Sequence, residues 1–487
     1  MNILFATSEA VPLAKTGGLA DVAGALPKAL GKRGVDARVV LPKYEEIPAA
    51  LVGRFQLIAK FTVSFSWRNQ YCGLLKAELD GITYYLIDNE FYFKRKGLYG
   101  YGDDAERFVF FSFAVMEAVR YMDFKPDIVH CHDWQTGLIP FLLKTRYAYD
   151  PAWANAKSVF TIHNLKYQGV FGRELLQDLI GVGNDLFTYE TLEFHGAGSC
   201  MKGGLVFADK LTTVSGSYAD EIQTEYYGEG LDALLRHRSA DLVGIVNGID
   251  DELFDPMNDA ALHFPYRSSL SRKRKNKLEL QRELGLPQSE SIPLIGIVSR
   301  LVEQKGFDLI LRTFEELLQE DVQFVVLGAG EGHYEHFFND KAYWYPDKVA
   351  VWLGYDDRLA RRIYAGADMF AMPSKFEPCG LSQLISLRYL TVPIVRETGG
   401  LRDTVQAYNE FTGEGNGFSF TNYNAHDYMH TVRRALELYR DEEAWKQIVA
   451  NGAKEDYSWN RSAKAYISVY SQLIADGKEK ETWPVTS

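Results

Sequence analysis

Cysteine is scarce in this chain: 487 residues contain four, Cys72, Cys131, Cys200 and Cys379, and no Cys-x-x-Cys pair. That spacing excludes a disulfide scaffold or a zinc ribbon and makes reduced thiols the expectation. Long hydrophobic runs are missing too. The strongest, Phe108 to Val119, is broken by Ser112 and Glu117 and falls short of the roughly 20 apolar residues of a membrane span. The apolar start, Met1 to Ala6, has no basic segment before it and is soon followed by Glu9, Lys15 and Asp21. A secretory signal is therefore not expected, and a cytoplasmic location is. Positive charge is in deficit, with 53 Lys and Arg against 65 Asp and Glu for a formal net charge of −12, so nucleic acid is not an expected partner, and without a spanning run neither is a membrane. Glycine and proline, 41 and 16 residues, are too few for a collagen-like or disordered chain.

What is present is a pattern that occurs twice. The first forty residues read as strand (Asn2 to Thr7), glycine-containing loop (Ser8 to Gly18), helix (Leu19 to Lys32) and strand (Asp36 to Leu41). Leu19, Val22, Ala23, Leu26 and Leu30 fall on one face at the 3.6-residue period. The same order returns as strand Pro293 to Val298, loop Ser299 to Gly306, helix Phe307 to Gln319 and strand Gln323 to Leu327. Units of this kind imply parallel sheets with right-handed crossovers, so the expected fold is α/β with two Rossmann-like doubly wound domains. The junction is expected near residue 250, giving segments 1–250 and 251–456, with 457–487 following. The basic run Arg267 to Arg282 reads as a solvated helix.

In open α/β sheets ligands gather at the carboxyl ends of the strands, which directs attention to the loops that follow them. Lys15-Thr16-Gly17-Gly18 leads into a helix and offers a cation, two glycines and a helix N-terminus suited to a phosphate. Arg300, Lys305 and Gly306 occupy the same point in the second half. Two cationic loops of this kind, on domains facing a central cleft, suggest a diphosphate-bearing substrate. No Asp-x-Asp pair is present to chelate a metal beside it. Asp127 to Trp134 reads as a buried strand ending in His132, Asp133 and Trp134. His130 and His132 share a face, but a metal is not expected, because no third ligand follows in a known pattern. Ser158 to Ile162 runs into His163 and Asn164. After the strand Met369 to Met372 come Glu377, Cys379, Gly380, Leu381 and Ser382 at the start of a helix, with an accessible thiol expected at Cys379. Thr398 to Asp403 carries paired glycines suited to close packing on that helix.

Taken in order, Lys15 to Val22, His132-Asp133-Trp134, Thr161 to Asn164, Asn247 to Asp250, Arg300 with Lys305-Gly306, Glu377 to Leu381 and Thr398 to Asp403 resemble the bacterial glycogen synthase and plant starch synthase family. These are retaining glucosyltransferases of GT-B architecture. The resemblance implies transfer of glucose from an ADP-glucose donor to the non-reducing end of a glycogen or other α-1,4-glucan acceptor, without cofactor or metal. It implies a last helix within 457–487 that packs back on the first domain, and catalytic roles for Asp133, His163, Arg300, Lys305 and Glu377. Substrate contacts are implied for Lys15, Gly17, Gly18, Asp21, Asn164, Asn247, Tyr355, Cys379, Gly380, Leu381 and Ser382, with Tyr355 stacking near the adenine. Related sugar transferases carry a second acid eight residues after the glutamate, where this chain has Ile385, so Glu377 is expected to act without that partner. A UDP-glucose transferase and a non-catalytic glucan-binding protein are the alternatives. A nicotinamide dehydrogenase is disfavoured by the lack of Gly-x-Gly-x-x-Gly and by Pro42-Lys43 where a ribose-binding acid belongs.

Overall fold

The computed structural model describes residues 1–481, so the end of the expected terminal segment, 482–487, lies outside the described residues. The chain forms two units. One comprises Met1–Val214, Ala219–Ile245 and the stretch from Trp459; the other comprises Ser215–Tyr218 and Val246–Ser458. Among the described residues no helix is long and apolar enough to cross a membrane.

The first unit is built on a nine-stranded sheet. From one edge its strands are Leu242–Gly244, Lys210–Thr213, Lys157–Ile162, Ile128–His132, Asn2–Ala6, Asp36–Pro42 and Ile82–Asp88, all parallel, followed by the antiparallel Arg68–Leu79 and Gln56–Phe65. Ile128–His132 is buried at every position, as expected of a strand covered on both faces. Helix Gly18–Gly31 buries Leu19, Val22, Ala23, Leu26 and Leu30, the stripe that its periodicity picks out. The terminal helix Trp459–Glu481 packs against it and sets the rings of Tyr466 and Tyr470 against His130.

The second unit has a six-stranded parallel sheet in the order Val349–Leu353, Gln323–Gly328, Leu294–Val298, Met369–Met372, Val392–Arg396, Phe418–Phe420. In chain order this is 3-2-1-4-5-6, the doubly wound arrangement whose strand order reverses between its first and fourth strands. The loops after Leu294–Val298 and Met369–Met372 flank that reversal. They are the loops that hold Lys305 and Glu377.

The basic run departs from the expectation of a solvated helix. Leu270–Glu283 is helical, but Lys273, Asn276, Lys277 and Leu280 are buried on one face. Lys273 Nζ donates to the carbonyls of Tyr364 (3.2 Å), Ala365 (2.9 Å) and Tyr389 (3.0 Å) and to Thr391 Oγ1 (2.6 Å). Tyr364 and Ala365 close the helix Asp357–Gly366, and Tyr389 follows the helix Ser382–Arg388. One lysine thus supplies a donor and a cation to two helix C-termini, where carbonyls lack intrahelical partners. Burial pulls its pKa down to about 7. Lys277 pairs with Asp368 at 2.6 Å. Replacing Lys273 by Met should destabilise the second unit by about 1.5 to 3 kcal/mol, the range for hydrogen bonds to a charged group. A fall in its urea midpoint measures this, and an unchanged midpoint would show that the two helix ends do not depend on Lys273.

Candidate active site

In the first unit the loop after Asn2–Ala6 is organised by an acid that has no spacing signature in the sequence, Glu9. Its buried carboxylate accepts the Thr16 backbone N–H, the Thr16 hydroxyl (3.0 Å to each oxygen), the Gly17 N–H (3.2 Å) and the Tyr99 hydroxyl (3.3 Å). Burial raises its pKa, and these donors oppose the rise. The glycine loop therefore differs from an open phosphate nest: Gly17, the residue before the helix, already donates to an internal anion, while Gly18 is exposed. Lys15 is exposed and bonds Asp21 at 2.7 Å. Lys15, Gly17, Gly18 and Asp21 are thus brought together, with Lys15 held by a carboxylate.

Asp133 closes strand Ile128–His132 with φ +55°, a left-handed conformation that costs a non-glycine residue energy and clusters at functional sites. Its Oδ1 accepts the His163 N–H at 2.7 Å and lies 3.5 Å from the Asn164 N–H. This joins the carboxyl ends of two neighbouring strands. Burial pushes its carboxyl up to about 7, with a smaller contribution from Glu9. His163 is pushed down to about 3 by burial, which keeps its ring neutral. His130 and His132 are committed to partners within the protein: His130 Nε2 to Thr161 Oγ1 (2.6 Å), His130 Nδ1 to the Tyr470 hydroxyl (2.7 Å), and His132 Nδ1 to His163 Nε2 (2.9 Å). Beside these strand ends lies an open pocket of about 510 Å³ lined by Trp134, Tyr167, Phe171, Phe194, Gln168 and Glu229. Aromatic faces with adjoining hydrogen-bonding groups suit a sugar ring. Of these residues, only Trp134 stands in a segment that the sequence singles out.

In the second unit Lys305 Nζ and Glu377 Oε2 meet at 2.6 Å, with Ser374 Oγ donating to the same oxygen at 3.2 Å. Glu377 is buried. Gly306 makes the approach possible: it has φ +77°, and a Cβ there would sit 2.0 Å from the Pro373 carbonyl oxygen. Arg300 is exposed at the end of its strand. Gly399 and Gly400 pack on the backbone of the Glu377 loop, where added Cβ atoms would lie 2.1 Å from the carbonyl oxygens of Glu377 and Cys379. The paired glycines therefore hold the loop itself, one step earlier in the chain than the helix they were expected to pack on.

That packing overturns the expectation of an accessible thiol. Cys379 is buried, burial pushes its thiol up to about 12, and the Asn247 backbone N–H directed at it offsets only part of the rise. Asn247 belongs to this unit, and its Oδ1 is enclosed without a protein partner. Helix Ser382–Arg388 begins at Ser382, with Leu381 as its cap and Gly380 before it at φ +74°. The Ser382 hydroxyl bonds Tyr364 (3.0 Å). Tyr355, two residues beyond strand Val349–Leu353, is 83% exposed. Ile385, eight residues after Glu377, lies in the hydrophobic core as a packing residue. Among the described residues no three His, Cys, Asp or Glu side chains gather to hold a metal ion.

Two doubly wound units carrying this chemistry define a GT-B glycosyltransferase. Residues 2–237 match the starch synthase catalytic domain and residues 279–454 match glycosyl transferases group 1. The glycogen synthase of Bacillus cereus is 54% identical over 97% of this chain and 100% of its own length. That of Geobacillus thermodenitrificans is 54% identical over 99% of each chain. The catalytic domain of starch synthase IV from Arabidopsis thaliana, bound to ADP and acarbose, superposes with a TM-score of 0.90 at 34% identity, covering 97% of this chain and 99% of that one. The sucrose-phosphate synthase of Thermosynechococcus elongatus, 15% identical with a TM-score of 0.62, shares the fold. The chain belongs to the glycogen synthase and starch synthase family of retaining glucosyltransferases.

Glu9→Ala leaves two backbone amides and a hydroxyl of the glycine loop without their common acceptor. Transferase kcat/KM should fall about 10- to 150-fold, the equivalent of about 1.5 to 3 kcal/mol, with far-UV circular dichroism unchanged. Wild-type kinetics in this variant would show that the loop holds its conformation without Glu9.

Proposed function

We propose that the chain extends glycogen or a related α-1,4-glucan from its non-reducing end, with ADP-glucose as donor and retention at the anomeric carbon. The observation that carries this reading is the 2.6 Å Lys305–Glu377 pair at the strand-order reversal of the second unit. It joins a cation suited to a leaving diphosphate to a carboxylate suited to positive charge on a sugar. The reading is supported by the ADP in the Arabidopsis starch synthase structure and by the aromatic pocket of the first unit, which fits a glucan ring.

In the proposed reaction, Arg300 and Lys305, assisted by Lys15, take up the charge of the departing diphosphate as the bond from the anomeric carbon to its oxygen breaks. The acceptor hydroxyl forms the new bond on the same face and passes its proton to a diphosphate oxygen. The Glu377 carboxylate and the His163 backbone stabilise the oxocarbenium-like state between. Asp133, Asn164, Asn247 and the Cys379 to Ser382 segment shape the sugar pocket, and Tyr355 offers an exposed ring to the adenine. Asp133 acts partly through the backbone, since its Oδ1 fixes the peptide of His163. The four unpaired, buried cysteines fit a cytoplasmic setting.

Incorporation of labelled glucose into glycogen from ADP-glucose and from UDP-glucose tests the proposal. Faster incorporation from ADP-glucose is expected. Equal or faster incorporation from UDP-glucose overturns the donor assignment, and no incorporation from either overturns the acceptor as well.

A further inference from the structure

The ring of His132 poses a hydrogen-bonding problem with one favoured solution. The side chain is fully buried, and its backbone is pinned by Thr136, whose hydroxyl oxygen accepts the His132 N–H at 2.6 Å and donates to the His132 carbonyl at 2.9 Å. The ring stacks on Phe5, with centroids 5.5 Å apart and planes 16° apart, and lies 4.2 Å from the ring of His130. Nδ1 meets His163 Nε2 at 2.9 Å, while Nε2 is enclosed without a protein partner. Both nitrogens of His130 are engaged elsewhere, so His130 cannot supply one.

Burial keeps all three imidazoles neutral. A neutral imidazole carries one N–H, so a single proton lies between His132 and His163, and two arrangements are possible. If His163 donates through Nε2, the proton of His132 must sit on its Nε2, leaving a buried N–H with no acceptor. If His132 donates through Nδ1, its Nε2 is a bare lone pair, and the proton of His163 sits on Nδ1. Orphaned buried N–H groups are rarer in folded proteins than under-used acceptors, which favours the second arrangement.

We propose that His132 is a positioning residue that fixes His163 as its Nδ1–H tautomer, so that His163 meets the transferred sugar as a hydrogen-bond donor to an oxygen and not as a base. The tautomer follows from the contacts of these side chains and their burial; its consequence for the sugar rests on the placing of His163 in the site proposed above. It gives a role to the histidines that gather at the ends of two adjacent strands, the inner ring being there to set the proton of the outer one.

Long-range proton–nitrogen NMR of the full chain labelled with 15N-histidine reads the tautomer directly, with His163 assigned from a His163→Gln variant. A protonated Nδ1 and bare Nε2 are expected, and the reverse overturns the proposal. Kinetics with ADP-glucose and glycogen add a second readout. In His132→Asn the amide nitrogen falls near the position of Nδ1 and still donates, whereas His132→Leu cannot. His132→Leu should lower kcat about tenfold or more with KM for the donor changed less than about threefold, and His132→Asn should restore most of kcat. Equal losses in the two variants overturn the positioning role. The expected spectrum together with an unchanged kcat in His132→Leu would leave the tautomer standing and overturn the placing of His163 in the site.

Discussion

The strand-order reversal of the second unit is built around one ion pair, Lys305 with Glu377. A parallel sheet delivers every strand end to the same edge, and at the strand-order reversal two loops arrive there with opposite charges. A carboxylate as buried as Glu377 is costly without a partner. Lys305, at 2.6 Å, and the Ser374 hydroxyl supply that partner. The surrounding features follow from bringing the two loops together: the left-handed Gly306 against Pro373, and Gly399 and Gly400 against the Glu377–Cys379 backbone. The same packing buries Cys379.

The first unit solves a similar problem with an internal carboxylate. Glu9 gathers the amides of its glycine loop, and Asp133 gathers those of the next strand end but one. Both carboxyls are raised by burial. Glu9 therefore holds the backbone of its own loop and Asp133 that of a neighbouring one, and the geometry of that unit's strand ends is fixed by charge-assisted hydrogen bonds to peptide groups.

Much of this was legible in the sequence, for identifiable reasons. Fully buried parallel strands read as short apolar runs, the helix stripes keep a 3.6-residue period, and loops directly after strands mark the strand ends. That sufficed to find Lys305, Glu377, Asp133 and His163. Glu9 escaped because a lone glutamate in a loop has no periodic partner; its contacts are made by folding the loop back on itself. The basic helix was misread because lysines look solvated, although Lys273, Asn276, Lys277 and Leu280 stand at i, i+3, i+4 and i+7, a buried-face spacing that ends in a leucine. The burial of Cys379 depends on Gly399 and Gly400, some twenty residues away in the chain, and local pattern carries no such information.

In the proposed reaction Lys305 serves the diphosphate while Glu377 serves the sugar. Calorimetric titration of ADP into wild type, Lys305→Ala and Glu377→Gln, with turnover measured alongside, separates the two roles. Lys305→Ala should weaken ADP binding about 10- to 150-fold. Glu377→Gln, which removes the charge competing for Lys305, should bind ADP at least as tightly as wild type while turnover falls about 100-fold or more. Loss of ADP affinity in Glu377→Gln equal to that in Lys305→Ala, or turnover that survives the substitution, would contradict this account.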